Sequence, residues 1–251
     1  MGALRFTAIL LAVGAFYAFC IAFADVDLWR LWKGLPRLAA WTARAWPPNF
    51  EDFSTLLQRA AETIAMASLG TTIGALIAVP LCLFAAANTT PDAVLHVAAR
   101  GLLNILRGID SFVFALLFVA AVGLGPFAGV LGIALHSAGS VAKLWSESIE
   151  TVERGPVEAA TMSGAGRLKI ITHALLPDVL PALASSMLYI WEFNLRASTV
   201  LGIVGAGGIG QELKSSIDLL DFPRVFAILL IVLAMVTFVD QVSAMVRRHL
   251  A

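Results

Sequence analysis

The chain contains the polar stretch Glu158-Ala159-Ala160-Thr161-Met162-Ser163-Gly164, followed after nine residues by Ala174-Leu175-Leu176-Pro177. Long apolar segments lie on both sides of it. Gly155-Pro156 can begin a helix here, because proline in the first turn loses no helical hydrogen bond. Glu158 would then lie in the first turn, where the helix dipole stabilises a carboxylate, and Gly164 can end the helix. The stretch predicts a short helix with a small, exposed alanine face.

The composition places the chain in a membrane. It is 59% hydrophobic and 14% charged, with a mean hydropathy of +0.88, whereas soluble domains carry about a quarter charged residues. Several apolar runs approach the roughly 20 residues that a membrane helix needs, and they are not the short alternating strands of a β-barrel. We therefore expect an all-α polytopic membrane protein. The formal net charge of zero gives no indication of a nucleic-acid partner, and we expect none.

The apolar runs predict about six transmembrane helices. Their approximate ranges are 5–24, 58–87, 96–122, 127–143, 179–202 and 223–244. Residues 111–135 can also be taken as one span, but Gly123-Leu124-Gly125-Pro126 interrupts it, because proline removes a backbone donor and glycine weakens a helix. We divide the chain into residues 1–57, with the first span and a Trp-rich segment, and residues 58–251, a transmembrane domain with a polar loop near 144–178.

The segment 25–57 has an amphipathic pattern. The apolar residues at helical spacing are Leu28, Leu31, Trp32, Leu35 and Leu38, with Arg30, Lys33 and Arg37 interleaved. Tryptophan is enriched at the headgroup level, where one end of its ring is wet. We predict a helix in the membrane interface that stops near Pro47-Pro48; an ordinary surface loop is the alternative.

Charged residues in the loops predict the orientation. Basic residues surround the Glu158 stretch and close the chain; they are Lys143, Arg154, Arg167, Lys169, Arg247 and Arg248. The positive-inside rule makes these regions cytoplasmic, and with six spans the N-terminus is cytoplasmic as well. The basic residues of segment 25–57 then lie outside, which conflicts with the rule.

The spacing of the Glu158 stretch resembles the "EAA" loop of ABC-importer permeases, in which Glu-Ala-Ala is followed by three residues, Gly, nine residues and Ile-x-Leu-Pro. The matching residues are Glu158, Ala159, Ala160, Gly164, Leu176 and Pro177, and Ala174 departs from the usual Ile. In that family the loop is a cytoplasmic docking helix for a separate ATPase subunit. The resemblance thus implies that these six residues couple the chain to ATP hydrolysis.

Three further segments are similar to the phosphonate-type branch of these permeases: Phe193–Gly210, Val119–Leu131 and Gly155–Ala159. The run Arg196-Ala197-Ser198-Thr199-Val200-Leu201-Gly202 is the most discriminating. The resemblance implies the permease fold called MetI-like, and transport of a phosphonate, phosphate or phosphite through the cell membrane. It also implies the partners: two ATPase subunits that carry ATP and Mg, a second permease copy or a paralogue, and an extracytoplasmic solute-binding protein.

Two charges lie in the fifth predicted span. Glu192 and Arg196 are four residues apart and so share a helix face. A charge in a membrane span is costly and usually faces a bundle interior or water. Arg196 can therefore offer a positive charge to an anionic substrate in the path, with Glu192 beside it, or the two residues can simply neutralise each other. For Arg107 and Asp110 we favour a structural pair.

The sequence contains no G-x-x-x-x-G-K-[ST] phosphate-binding loop, so ATP must be hydrolysed by another chain and this chain is not expected to be an enzyme. His96, His136 and His173 have no partners at metal-ligand spacing, and we expect no metal. The alternatives are an ion-coupled secondary transporter, which needs inverted repeats or broken helices, and an ABC permease for another small solute.

Overall fold

The computed structural model of the chain describes residues 2–90 and 92–250, and within these ranges it contains helices and turns but no strand. The predicted all-α class is therefore confirmed. The chain forms two compact units, Met1–Pro47 and Pro48–Ala251. The predicted division after residue 57 stays a prediction.

The first unit consists of two helices joined by a tight turn. Helix α1 (Gly2–Phe23) is apolar enough over Arg5–Phe23 to cross a membrane. Helix α2 (Leu28–Arg44) begins at the cap residue Asp27, whose carboxylate accepts hydrogen bonds from the backbone amides of Trp29 at 2.8 Å and Arg30 at 3.0 Å. Such a cap satisfies the unpaired amides of a first turn. The predicted amphipathic helix is thus present.

The second unit contains the other helices. In chain order they are α3 (Phe53–Ala85), α4 (Ala93–Gly108), α5 (Ser111–Val122), α6 (Pro126–Glu150), α7 (Arg154–Met162), α8 (Arg167–Ile170), α9 (Leu176–Leu201), α10 (Gly208–Asp218) and α11 (Phe222–Leu250). A π-helical turn at Ile171–Leu175 joins α8 to α9, and a 3-10 turn at Gly202–Val204 follows α9. The break predicted at Gly123–Pro126 separates α5 from α6.

Five helical segments of the described chain are long and apolar enough to cross a membrane, and α4 with α5 would supply a sixth if the pair is one span. The five are Arg5–Phe23, Phe53–Ala85, Pro126–Glu150, Ile171–Val204 and Phe222–Arg248. The predicted number of about six is confirmed on that count. Helices α3, α6 and α11 begin before the predicted spans, and α6 and α11 also continue beyond them.

Helices α3 and α6 pack closely at Gly70 and Gly74. A methyl group added at Gly70 would lie 2.7 Å from the Cβ of Ile133. A methyl group added at Gly74 would lie 2.6 Å from the Cβ of Ser137 and 2.8 Å from the carbonyl oxygen of Ala134. Small residues allow this approach, which in a membrane is driven by van der Waals packing.

Helix α9 joins the same contact through Asn194. This side chain is fully buried, and its amide nitrogen donates to the hydroxyl of Thr71 on α3 at 2.8 Å and to that of Ser137 on α6 at 2.7 Å. The Thr71 hydroxyl donates onward to the Ala67 carbonyl at 2.6 Å. Buried polar groups need such partners, so one amide fixes the register of three helices.

The predicted span 96–122 is wrong as a continuous helix, because α4 and α5 meet at an angle of 84°. At the bend Asp110 accepts a hydrogen bond from the Phe112 amide at 2.8 Å, and His136 of α6 bonds the Ile109 carbonyl at 2.9 Å. These side chains satisfy backbone groups that a helix would otherwise satisfy, which is the condition for a break at membrane depth. Pattern analysis of a single apolar run does not show such partners.

We predict that Gly74→Ala destabilises the protein by roughly 1–3 kcal/mol, because the added methyl group overpacks the contact with Ser137 and Ala134. The matched control is Gly101→Ala in α4, where nothing lies within 4 Å of an added methyl group; this change should be neutral or stabilising, since alanine favours helix. Thermal unfolding in detergent measures both. Equal unfolding temperatures for the two variants would contradict the close contact.

Candidate functional site: the loop after α6 and the ion pairs of α9

The short helix predicted around Glu158 is present as α7, and it ends in a turn that contains Gly164. The amide of Ser163 donates to the Ala159 carbonyl at 3.1 Å, and that of Ala165 to the Ala160 carbonyl at 3.2 Å. Gly164 has a φ of 79°, and nothing lies within 4 Å of a methyl group added there. This left-handed residue after a helix is the usual glycine closure.

One detail of the prediction for α7 is wrong. The helix begins at Arg154 rather than at Gly155-Pro156, and its first turn contains no acidic residue. Glu158 therefore lies just beyond the first turn, where the dipole stabilises a carboxylate less. Glu158 is exposed, as are Ala159 and Gly164, while Ala160 is half-buried.

The surface of α7 includes one large apolar side chain. Met162 is 89% exposed at the end of the helix. A flexible thioether beside two small alanines forms an adaptable apolar surface, of the kind that binding surfaces use. Met162 is not among the predicted site residues, although it lies inside the Glu158–Gly164 stretch, and that position is the signal that marks it.

The second half of the motif connects the loop to α9. Leu176 is 40% exposed and Pro177 is exposed, whereas the preceding Leu175 is 3% exposed and packs in the core with Val179 and Leu183. The π-helical turn before them ends with the Leu176 amide donating to the Ile171 carbonyl. The residue that anchors this end of the loop is thus Leu175, which the motif leaves unspecified.

The other end of the loop is held by an ion pair that the sequence analysis missed. Nη2 of Arg100 on α4 donates to both oxygens of Glu150, at 2.6 Å and 2.7 Å, and Nε donates to the Ala85 carbonyl at 3.1 Å. Glu150 also accepts from the Ala87 amide at 2.7 Å. The last residue of α6 is thereby tied to α4 and to the end of α3. A pair separated by 50 residues leaves no local pattern.

The expected pair of Glu192 with Arg196 is not formed. Glu192, which is buried, pairs instead with Arg247 of α11. Arg196 lies 3.7 Å from the nearest oxygen of Asp240, also on α11. The antiparallel α11 provides partners for both residues. The predicted span ends at residue 244 and therefore does not include Arg247, whereas α11 continues to Leu250.

The Arg196–Asp240 pair is the more open of the two. The side chains of Arg196 and Asp240 are 49% and 45% exposed, against 35% and 11% for Arg247 and Glu192. A distance of 3.7 Å is too long for a hydrogen bond. The guanidinium has five donors in a planar fork, so Arg196 retains donors for another anion.

One other expectation about polar residues has an outcome in the described parts of the chain. Arg107 and Asp110 form no ion pair there; Asp110 caps α5 instead. In residues 2–90 and 92–250 there is also no group of three His, Cys, Asp or Glu side chains that could hold a metal ion.

Comparison with known proteins shows one family. A sequence profile described as "binding-protein-dependent transport system inner membrane component" matches residues 70–251. The chain is 48% identical to a putative phosphite transport system permease protein, HtxC, of Stutzerimonas stutzeri, over 89% of this chain and 79% of that protein. It is 43% identical to the phosphite transport system permease protein PtxC of the same organism, over 89% of this chain and 82% of that protein.

A third relative and one solved structure agree. The chain is 37% identical to the phosphate-import permease protein PhnE of Mycolicibacterium smegmatis, over 86% of this chain but 41% of that longer protein. An inward-facing structure of the MetNI methionine ABC transporter has a chain that superposes with a TM-score of 0.70 at 20% identity, over 81% of this chain and 99% of that one. This likeness shows a shared fold.

Proposed function

Because the chain belongs to the family of binding-protein-dependent transport system inner membrane components, we propose that it forms half of the translocation path of an importer for a phosphorus oxyanion. It is the permease subunit of an ABC importer, a multi-pass membrane protein that transports and does not catalyse. Relatives named for phosphite and phosphate transport support the substrate class. Phosphite, phosphonate and phosphate share the anionic P–O groups that a guanidinium binds.

The observation that carries the coupling role is the surface of α7. This helix exposes Glu158 and Ala159 beside the 89% exposed Met162. The space next to the following Gly164 is open, since nothing lies within 4 Å of a methyl group added there. A small apolar surface with one acidic residue suits a groove on a partner protein. We assign the partner as the ATPase subunit, which holds ATP and Mg, and place α7 and both termini in the cytoplasm.

The connection between α7 and the spans supports the same role. The Glu150–Arg100 pair holds one end of the loop, and the buried Leu175 holds the other. We propose that Leu176 and Pro177 begin the rigid part of α9, so that a movement of the ATPase subunits is passed to the spans. Two permease subunits, as a homodimer or with a paralogue, would enclose the path, and a solute-binding protein would deliver substrate outside.

For the path itself we propose Arg196 as the anion-binding residue. Its side chain is half exposed, and its guanidinium lies 3.7 Å from Asp240, which is too long for a hydrogen bond. A phosphorus oxyanion offers it shorter, charge-assisted hydrogen bonds. Glu192 lies on the same face, but it is buried and engaged with Arg247. Its role beside the path is to hold α11 against α9 and not to bind the anion.

Variants in α7 test the coupling role. We predict that Glu158→Lys or Gly164→Trp leaves the protein inserted in the membrane but lowers uptake by at least about tenfold, as for a lost interface hot spot. Uptake per ATP hydrolysed, and co-purification of the ATPase subunit, are the measurements. Asp218→Lys, the same charge change on the exposed end of α10, is the control. Normal uptake with normal ATPase co-purification in both α7 variants would refute the docking role.

A pair of variants tests the role of Arg196. We expect Arg196→Gln to lower uptake of radiolabelled phosphite by about tenfold or more, since a charged hydrogen bond contributes about 1.5–3 kcal/mol, while assembly with the ATPase persists. Asp240→Asn should keep uptake, because it frees the guanidinium. If Asp240→Asn instead loses folded protein and uptake as severely as Arg196→Gln, the pair is structural and Arg196 is not an anion site.

A further inference from the structure

Helix α2 has its charges gathered on one side. At 100° per residue Arg30, Lys33, Arg37 and Arg44 fall within an arc of about 60°. Arg30 is neutralised by carboxylates, with Asp25 at 3.2 Å and Asp27 at 3.0 Å. Lys33, Arg37 and Arg44 form no ion pair with any residue in the described part of the chain. The helix therefore presents three uncompensated cations in one row.

The opposite side of α2 is apolar. It carries Leu28, Leu31, Leu35 and Leu38 within an arc of about 80°. Trp32 and Trp41 lie about 40° and 60° beyond the two edges of this arc, and none of the residues of α2 is buried. A helix that lies in a membrane interface has this distribution, with leucines on one side, cations on the other and tryptophans between them.

The attachment of α2 to α1 fixes its surroundings. Helix α1 is apolar enough to cross a bilayer and ends at Phe23, and α2 begins at Leu28. The turn between them is held by the Asp27 cap and by the pair of Asp25 with Arg30. When a span leaves the hydrocarbon and a second helix follows after a few residues, the second helix begins within the headgroup layer. The bilayer is therefore the surface that the leucines of α2 contact.

We propose that α2 is a binding site for anionic phospholipids of the leaflet at which α1 emerges. The leucine side enters the boundary of the acyl chains, and Lys33, Arg37 and Arg44 bind phosphate groups of the lipids. Lys33 also lies 5.1 Å from the centre of the Trp29 ring, which keeps its stem along the helix. This site is independent of the substrate and of α7, and it gives a use for the cations of a segment that the charge rule leaves unexplained.

The test uses the full-length protein in bilayers, with Cys20 and Cys82 replaced by alanine and a single environment-sensitive fluorophore on α2. Leu35→Cys places the label on the leucine side, and Ala40→Cys places it on the cationic side as a matched control. Quenching is measured with spin-labelled phosphatidylglycerol and, separately, with spin-labelled phosphatidylcholine at the same fraction. We expect quenching at Leu35 and little at Ala40. Phosphatidylglycerol should quench roughly fivefold more strongly or better, because even one cation near an anionic surface adds a preference of about 1 kcal/mol, which corresponds to that ratio.

Charge variants complete the test. Lys33→Gln/Arg37→Gln/Arg44→Gln should abolish the preference for phosphatidylglycerol while quenching at Leu35 remains. The charge-conserving variant Lys33→Arg/Arg37→Lys/Arg44→Lys should keep the preference. Absence of quenching at Leu35 by either lipid would show that a protein or water covers the leucines, and equal quenching by the two lipids would show that the cations do not select anions. Loss of the preference on adding millimolar inorganic phosphate would assign the cations to a soluble anion; each of these results overturns the proposal.

Discussion

The close approach of α3 to α6 at Gly70 and Gly74 is the constraint on which the transmembrane unit depends. Lipid tails are as apolar as leucine, so helices in a bilayer gain little from burying apolar surface and associate through packing and hydrogen bonds. The two glycines allow that packing, and Asn194 adds the hydrogen bonds by reaching Thr71 and Ser137 across the contact. Three helices are thereby fixed against each other at one level.

The two helices that flank the loop carrying α7, α6 and α9, meet at this three-helix contact. Helix α6 runs from the contact to Glu150, where Arg100 holds it, and α9 leads from Leu176, next to the buried Leu175, up to Asn194. The exposed α7 thus has two helical connections to the same buried group. If α7 docks on an ATPase subunit as proposed, this geometry passes a displacement of α7 to the spans, since packed helices move as rigid elements.

The parts of the fold that the sequence predicted are those encoded locally. Hydropathy predicts the spans, the 3.6-residue period predicts α2, and the Glu158–Gly164 stretch predicts α7. The break between α5 and α6 follows from Gly123 to Pro126, whose effect on a helix is intrinsic. The orientation of the termini and the role of each residue in the loop stay predictions.

Apart from the first residues of α7, the wrong expectations concern contacts between distant segments. The bend at Asp110 depends on His136 of another helix, and Glu192 pairs with Arg247 because α11 runs antiparallel to α9. Spacing along one helix identified Arg196 as a neighbour of Glu192, but it cannot rank that neighbour against a residue 55 positions away. Polar partners in a membrane bundle are chosen by helix packing, which a single sequence does not specify.

The central claim, that this chain transports a phosphorus oxyanion with ATP as its energy source, is tested most directly in proteoliposomes. The vesicles contain the chain with the ATPase subunit and the solute-binding protein proposed as its partners, and uptake of labelled phosphite is followed with ion gradients collapsed. The account predicts uptake that requires ATP hydrolysis and the binding protein. Uptake driven by a proton or sodium gradient through the chain alone, with no ATPase subunit present, would contradict it.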